Sequence, residues 1–78
     1  MRKLKLIWDF KGPDAARTAA HHLIHLDDFV ASEEVASIAT GVEAINDRHH
    51  IAFIALEEEH MPSVRDALKP HRGQLWEG

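Results

Sequence analysis

Apolar side chains alternate with polar ones at the start of the chain and fill both sides of a later segment. Between Lys3 and Phe10 every second residue is apolar, which is typical of a strand with one buried face. His49–Glu57 carries Ile51, Phe53 and Ala55 on one side and Ala52, Ile54 and Leu56 on the other. A strand that is apolar on both faces is typical of a central strand with both faces covered. We therefore predict two strands, the second of them central.

A helical period separates these two strands. Pro13 suits the first turn of a helix because its missing N–H would have no partner there, and Asp14 complements the helix dipole. Successive 100° steps place a mostly apolar stripe on one side, consisting of Ala16, Ala19, Ala20, Leu23, Leu26 and Val30. The opposite side carries Thr18, His21, His25 and Asp28. We predict an amphipathic helix that ends near Ser32 or Glu33.

The remaining segments are shorter. Residues 33–45 either extend this helix or form a weak strand, and Thr40, Gly41 and Val42 favour the strand. Residues 46–48 (Asn-Asp-Arg) have turn chemistry and predict a hairpin into the central strand. Residues 62–69 predict a short helix between Pro62 and Pro70, and residues 73–76 predict a last strand at the sheet edge.

The resulting order is β-α-β-β-α-β in one domain, residues 1–78. It predicts an α+β, ferredoxin-like sandwich, with an antiparallel sheet and two helices on one face. This order, the small size and the two-faced third strand resemble the dimeric α+β barrel superfamily over nearly the whole chain. The resemblance implies a homodimer that packs through the open sheet face. The superfamily includes cofactor-independent monooxygenases, isomerases, decarboxylases and domains of unknown activity, so it implies no single function.

Composition and charge restrict the location and the partners that we expect for the protein. The 78 residues include no cysteine, so neither disulfides nor thiolate metal sites stabilise the fold, and small domains of this kind often gain stability by association. A formal charge of −4 argues against nucleic acid as a partner. No apolar stretch approaches the roughly 20 residues of a membrane-spanning helix, and the N-terminus lacks a signal-peptide pattern. We therefore expect a cytoplasmic protein that binds neither nucleic acid nor membrane.

Seven histidines are the most conspicuous chemical feature. His21 and His25 lie one helical turn apart, and Asp28 follows on the same face. Two imidazoles and a carboxylate suit zinc or another divalent transition metal. The alternative interpretation is a solvated helix face, and the zincin pattern H-E-x-x-H is absent. No other cofactor is predicted.

His49 and His50 begin the central strand and must point to opposite sheet faces. If Ile51 and Phe53 lie under the helices with Trp8, then His49 also faces the helices; the reverse assignment stays open. The alternative is that these histidines have no functional role and lie at the solvent-exposed end of the strand, with their ring nitrogens bound to water. A functional interpretation makes one of them the proton-handling group of a ligand cavity lined by Trp8. Trp76 packs either on its own domain or on a partner subunit.

Three hypotheses about function follow. The first is a homodimeric binding or structural module without catalysis of its own, because no motif for catalysis is recognised. The second is a small-molecule-binding protein or cofactor-independent enzyme of the dimeric barrel type, which uses His49 or His50 with Trp8. The third is a protein that binds a transition metal through His21, His25 and Asp28.

Overall fold

The structure, a computed structural model, describes residues 2–76. Within this range the chain forms β1 (Lys3–Lys11), α1 (Ala15–Ser32), β2 (Ser37–Asn46), β3 (His49–Glu57), a 3₁₀ turn (Glu58–His60), α2 (Met61–Leu68) and β4 (Arg72–Leu75). The prediction of an α+β protein with an antiparallel sheet and two helices is confirmed for these residues. Over the same range, no helix is long and apolar enough to cross a bilayer.

The sheet has the strand order β2-β3-β1-β4 over residues 2–76, and each neighbouring pair is antiparallel. β3 lies in the centre, as its two apolar faces predict, and β1 lies beside it. Leu6 lies opposite Ile54, and Trp8 lies opposite Ala52. Because paired residues point to the same face, this register decides which side of each strand meets the helices.

Both helices pack on the face that carries the even-numbered residues of β1 and β3. Leu26 of α1 and Val64 of α2 belong to one buried cluster with Leu6, Trp8, Ala52, Ile54 and Leu56. The odd-numbered side forms a second cluster of Ile7, Ile51 and Phe53 on the open face, to which Trp76 adds. The face assignment that places Ile51 and Phe53 under the helices is therefore wrong, because the periodicity of two does not specify which side of β3 joins which side of β1.

The buried stripe of α1 differs from the prediction in its phase. Ala15, Ala19 and Leu26 are buried, whereas Ala16 and Ala20 are exposed. This rotation brings His22 toward the sheet, where its ring lies 4.9 Å from that of Trp8. The apolar arc of the helix is wide enough to bury either set of residues. The contact of His22 with the aromatic side chains of β1 selects the observed orientation, and that contact exists only in the folded protein.

Residues 37–46 form a strand, as the sequence favours, and not a continuation of α1. Glu33 ends the helix by donating its N–H to the Phe29 carbonyl at 2.9 Å. Glu34 then adopts the left-handed conformation with φ 53°, and the chain reverses into β2. α2 ends in the same way, since Lys69 has φ 50° directly before Pro70. Local backbone reversals therefore end both helices.

Candidate functional site

A groove of about 430 Å³ lies between β4 and α2 on the helix face of the sheet. Its floor is apolar and includes Leu4, Leu6 and Leu75, while Met61 of α2 and Pro70 add apolar surface. α2 is short and leaves Leu75 at the sheet edge 54% exposed. The volume falls in the range of sites for small organic ligands, about 300–1,000 Å³.

The charged residues that line this groove are all arginines, and each has a carboxylate partner beyond the lining. Its lining within residues 2–76 includes Arg2, Arg65 and Arg72 and no acidic residue. Arg2 forms an exposed ion pair with Glu58. Arg65 of α2 meets only the carboxylate of its neighbour Asp66 within the described residues, at 3.5 Å from Nε. Arg72 donates two hydrogen bonds to Asp9, so Arg65 has the most distant carboxylate partner of the three and is the cation best placed to bind an anion from solution.

Side chains of the same chain already cover much of the open sheet face. The Phe53 and Trp76 rings stack with a centroid distance of 5.7 Å. The Lys5 ammonium lies 4.5 Å from the Phe53 ring centroid and forms an ion pair with Glu43 at the β2 edge. Ile7 beneath them is 1% exposed. Trp76 thus contacts its own domain, and the apolar residues on this face of β3 are buried without a second chain. A homodimer through this face stays a prediction.

Asp9 joins the three strands that meet at one end of the open face. Its carboxylate accepts two hydrogen bonds from Arg72, at 2.9 and 3.1 Å, and one from His49 Nε2 at 2.8 Å. The Arg72 guanidinium, aided by His49, lowers the pKa of Asp9 to about 2. His49 therefore lies on the open face and not under the helices. A carboxylate on its Nε2 orients this imidazole, as acid–base catalysis requires, but the lining of the β4–α2 groove does not include it.

His50, Trp8 and His22 lie on the opposite face, near the end of the helix layer. His50 is paired with Phe10 across β1, and Trp8 donates its indole N–H to the Leu68 carbonyl at 3.2 Å. Trp8 is therefore a buried core residue with its polar group satisfied. The structure does not bring Trp8, His49 and His50 to one cavity, because the two histidines point to opposite faces, as the strand pattern requires.

His22 is the histidine that packs in the helix–sheet interior. Its ring lies 4.9 Å from Trp8 and 5.5 Å from Phe10, and its Nε2 atom is buried with no hydrogen-bond partner among residues 2–76. Burial lowers the pKa of His22 below its ordinary value of 6.5, and the nearby His25, His71 and His21 act in the same direction. The folded protein therefore favours the neutral imidazole at this position.

His21 and His25 meet on the exposed face of α1. Their Nε2 atoms are 3.1 Å apart, and the rings are nearly perpendicular at 83°. Asp28 is exposed on the next turn and makes no hydrogen bond or ion pair with either ring within residues 2–76. Across that range, no group of three or more His, Cys, Asp or Glu side chains is arranged to hold a metal ion. The structure thus joins two of the three predicted metal ligands.

Sequence reasoning missed the β4–α2 groove and its Arg65. Single arginines scattered over 78 residues give no periodic signal, and the groove exists because α2 is too short to cover β4. The shortness of α2 between Pro62 and Pro70 is visible in the sequence and was the available clue.

Comparisons with known proteins give no relative from which a function could be transferred. No family model matches the chain, and no curated protein or solved structure matches it significantly. The resemblance to the dimeric α+β barrel superfamily therefore stays a prediction, and the case for a function depends on the geometry of the chain itself.

Proposed function

We propose that the protein is a ligand-binding domain that holds an amphipathic organic anion in the β4–α2 groove. The observation that carries this proposal is the combination of an apolar floor with an arginine rim. A carboxylate on an apolar body fits both parts: Arg65 binds the carboxylate with paired N–H donors, and the leucines cover the body. This proposal takes up the small-molecule-binding part of the second hypothesis, but it places the ligand away from Trp8, His49 and His50.

We propose in addition that the domain is a ferredoxin-like sandwich. The order of its elements and the sheet order β2-β3-β1-β4 support this assignment. In this arrangement β4 is an edge strand of only four residues. The groove therefore lies at the edge of the sheet, where β4 extends beyond the part of the sheet that α2 covers.

Octanoate is a suitable probe because it combines a carboxylate with a flexible apolar chain. With about ten non-hydrogen atoms at roughly 0.5 kcal/mol each, it would bind with a Kd on the order of 0.2 mM. Titration followed by ¹H–¹⁵N correlation spectra should shift the amides of Leu4, Gly73 and Leu75. Octanol and acetate each lack one half of the pattern and should bind at least several-fold more weakly.

Arg65→Met tests the rim while keeping most of the aliphatic stem. We expect octanoate binding to weaken about 10-fold, since a lost charge-assisted hydrogen bond contributes about 1.5 kcal/mol. Arg17→Met on α1 is the matched control, because Arg17 is exposed and lies outside the groove lining. Shifts spread evenly over the surface, or equal binding by wild type and Arg65→Met, would refute the proposal.

A further inference from the structure

The His21–His25 pair has the spacing of two ligands on one metal ion. A tetrahedral zinc ion with Zn–N bonds of about 2.0–2.1 Å holds its nitrogen ligands about 3.3 Å apart. The two Nε2 atoms are 3.1 Å apart in the protein, within hydrogen-bond distance of each other, so they would need to separate by only about 0.2 Å to hold zinc between them. Because His21 and His25 are separated by one helical turn, α1 itself maintains this spacing.

This pair is only half of a zinc site. Structural zinc ions are almost always four-coordinate, and residues 2–76 provide no third ligand beside the pair. Asp28, which the sequence offers as that ligand, makes no contact with either ring in this range. The missing ligands must therefore come from water or from another molecule.

A second copy of the chain supplies the missing half by symmetry. When a two-fold axis passes through the metal, each copy contributes the same two imidazoles, and four nitrogen ligands result. Ile24 lies on the same helix face between the two histidines in sequence and is 57% exposed, so this contact would bury one isoleucine from each copy. Each chain carries a formal charge of −4, and a divalent cation at the axis offsets the repulsion between two such chains.

We propose that His21 and His25 form a half-site for zinc or a similar transition-metal ion, completed by the same pair of a second copy, so that the metal joins two chains through α1. The two copies meet through the outward face of α1, so this contact covers neither the open sheet face nor the β4–α2 groove. The proposal does not depend on the ligand bound in that groove.

The test uses untagged protein at about pH 7.5, because an affinity tag would add histidines. Zinc titration by calorimetry should give one ion per two chains, and light scattering should show the mass double with zinc and return to the monomer value with EDTA. Co²⁺ in place of zinc should give the intense visible absorption of a tetrahedral site. One zinc per chain without a mass change would overturn the proposal, as would no binding at about 100 µM zinc or the weak spectrum of octahedral Co²⁺.

Variants separate this pair from the other histidines. His25→Gln and His21→Gln alter exposed side chains, so the fold should be retained by circular dichroism while zinc-dependent doubling is lost. Asp28→Asn should retain the zinc-dependent doubling of mass, because Asp28 is not a ligand. His60→Gln is the matched control, since His60 is a partly exposed histidine outside α1 that lies 3.6 Å from the Glu59 carboxylate. Doubling that survives in His25→Gln, or that is lost in His60→Gln, contradicts the assignment.

Discussion

The Lys5–Glu43 ion pair on the open sheet face allows a sharp test of the energetics of this fold. The Lys5 side chain is only 10% exposed, whereas Glu43 is 46% exposed. The ammonium has therefore lost most of its water, and Glu43 together with the Phe53 and Trp76 rings replaces that water. Removing the partner of a desolvated charge destabilises a protein more than removing the charge itself.

The two single variants should consequently have unequal effects. Glu43→Gln leaves the Lys5 charge in place and should lower the free energy of unfolding by about 1–2 kcal/mol, at the low end for charged hydrogen bonds because water reaches Glu43. For a domain of this size, that change corresponds to a fall in Tm of about 6–12 °C. Lys5→Met keeps the apolar stem over Phe53 and removes the desolvated charge, so its unfolding free energy should stay within about 1 kcal/mol of wild type.

A double-mutant cycle measures the pair directly. Urea unfolding followed by tryptophan fluorescence and circular dichroism should place Lys5→Met/Glu43→Gln within about 0.5 kcal/mol of Lys5→Met alone, because Glu43 has no role once the charge is gone. Glu33→Gln is the control for removal of an exposed glutamate and should be nearly neutral. If Glu43→Gln unfolds at the wild-type urea midpoint while Lys5→Met loses more than about 2 kcal/mol, the reasoning about a desolvated pair is wrong.

Three further predictions concern other parts of the structure. Burial lowers the pKa of His22, so the contribution of its neutral ring to stability is complete above the pKa of the unfolded chain, near 6.5, and is lost as the pH falls toward the pKa in the folded protein. His22→Phe should reduce this loss of stability between about pH 7.5 and 5.5 in urea unfolding. An unchanged pH dependence would contradict the burial argument. A carboxyl ¹³C titration should give a pKa of about 2 for Asp9, rising toward 3.8 in Arg72→Gln, whereas the same low value in both proteins would assign the shift to another group. A Cβ on Gly41 would lie 2.9 Å from Cζ of Phe53, so Gly41→Ala should destabilise by about 1–3 kcal/mol and change the near-UV spectrum of the Trp76 stack; a wild-type spectrum and stability would show that the ring moves freely.

Strand and helix patterns predict most of the elements because their periods follow from local geometry. Alternation over Lys3–Phe10 and the continuous apolar run in His49–Glu57 correspond to β1 and β3 in the centre of the sheet. Pro62 and Pro70 bracket α2 closely, since proline is compatible with a first turn and incompatible with a helix interior. Residues 33–45 are ambiguous in sequence because Glu33–Ile38 suits both structures.

The candidate sites depend on relations that no local pattern contains. The sequence predicts that His49 and His50 point to opposite faces, but the β1–β3 register determines that His49 meets Asp9 while His50 meets the helix layer. The phase of α1 similarly turns His22 toward Trp8. The spacing of His21 and His25 is visible in the sequence because one helical turn determines it, whereas the position of Asp28 relative to that pair is not.

The sequence by itself determined the order of the elements apart from the ambiguous residues 33–45, the central place of the strand that is apolar on both faces, and the histidine pair on one helix face. Each of these follows from backbone geometry repeated over a few residues. Only the tertiary structure decided which side of β3 meets the helices, what covers Lys5 and Ile7, and where the short α2 leaves an apolar groove with Arg65 at its rim. These features depend on contacts between residues far apart in the chain, where register and side-chain packing select one arrangement among several that the same pattern allows.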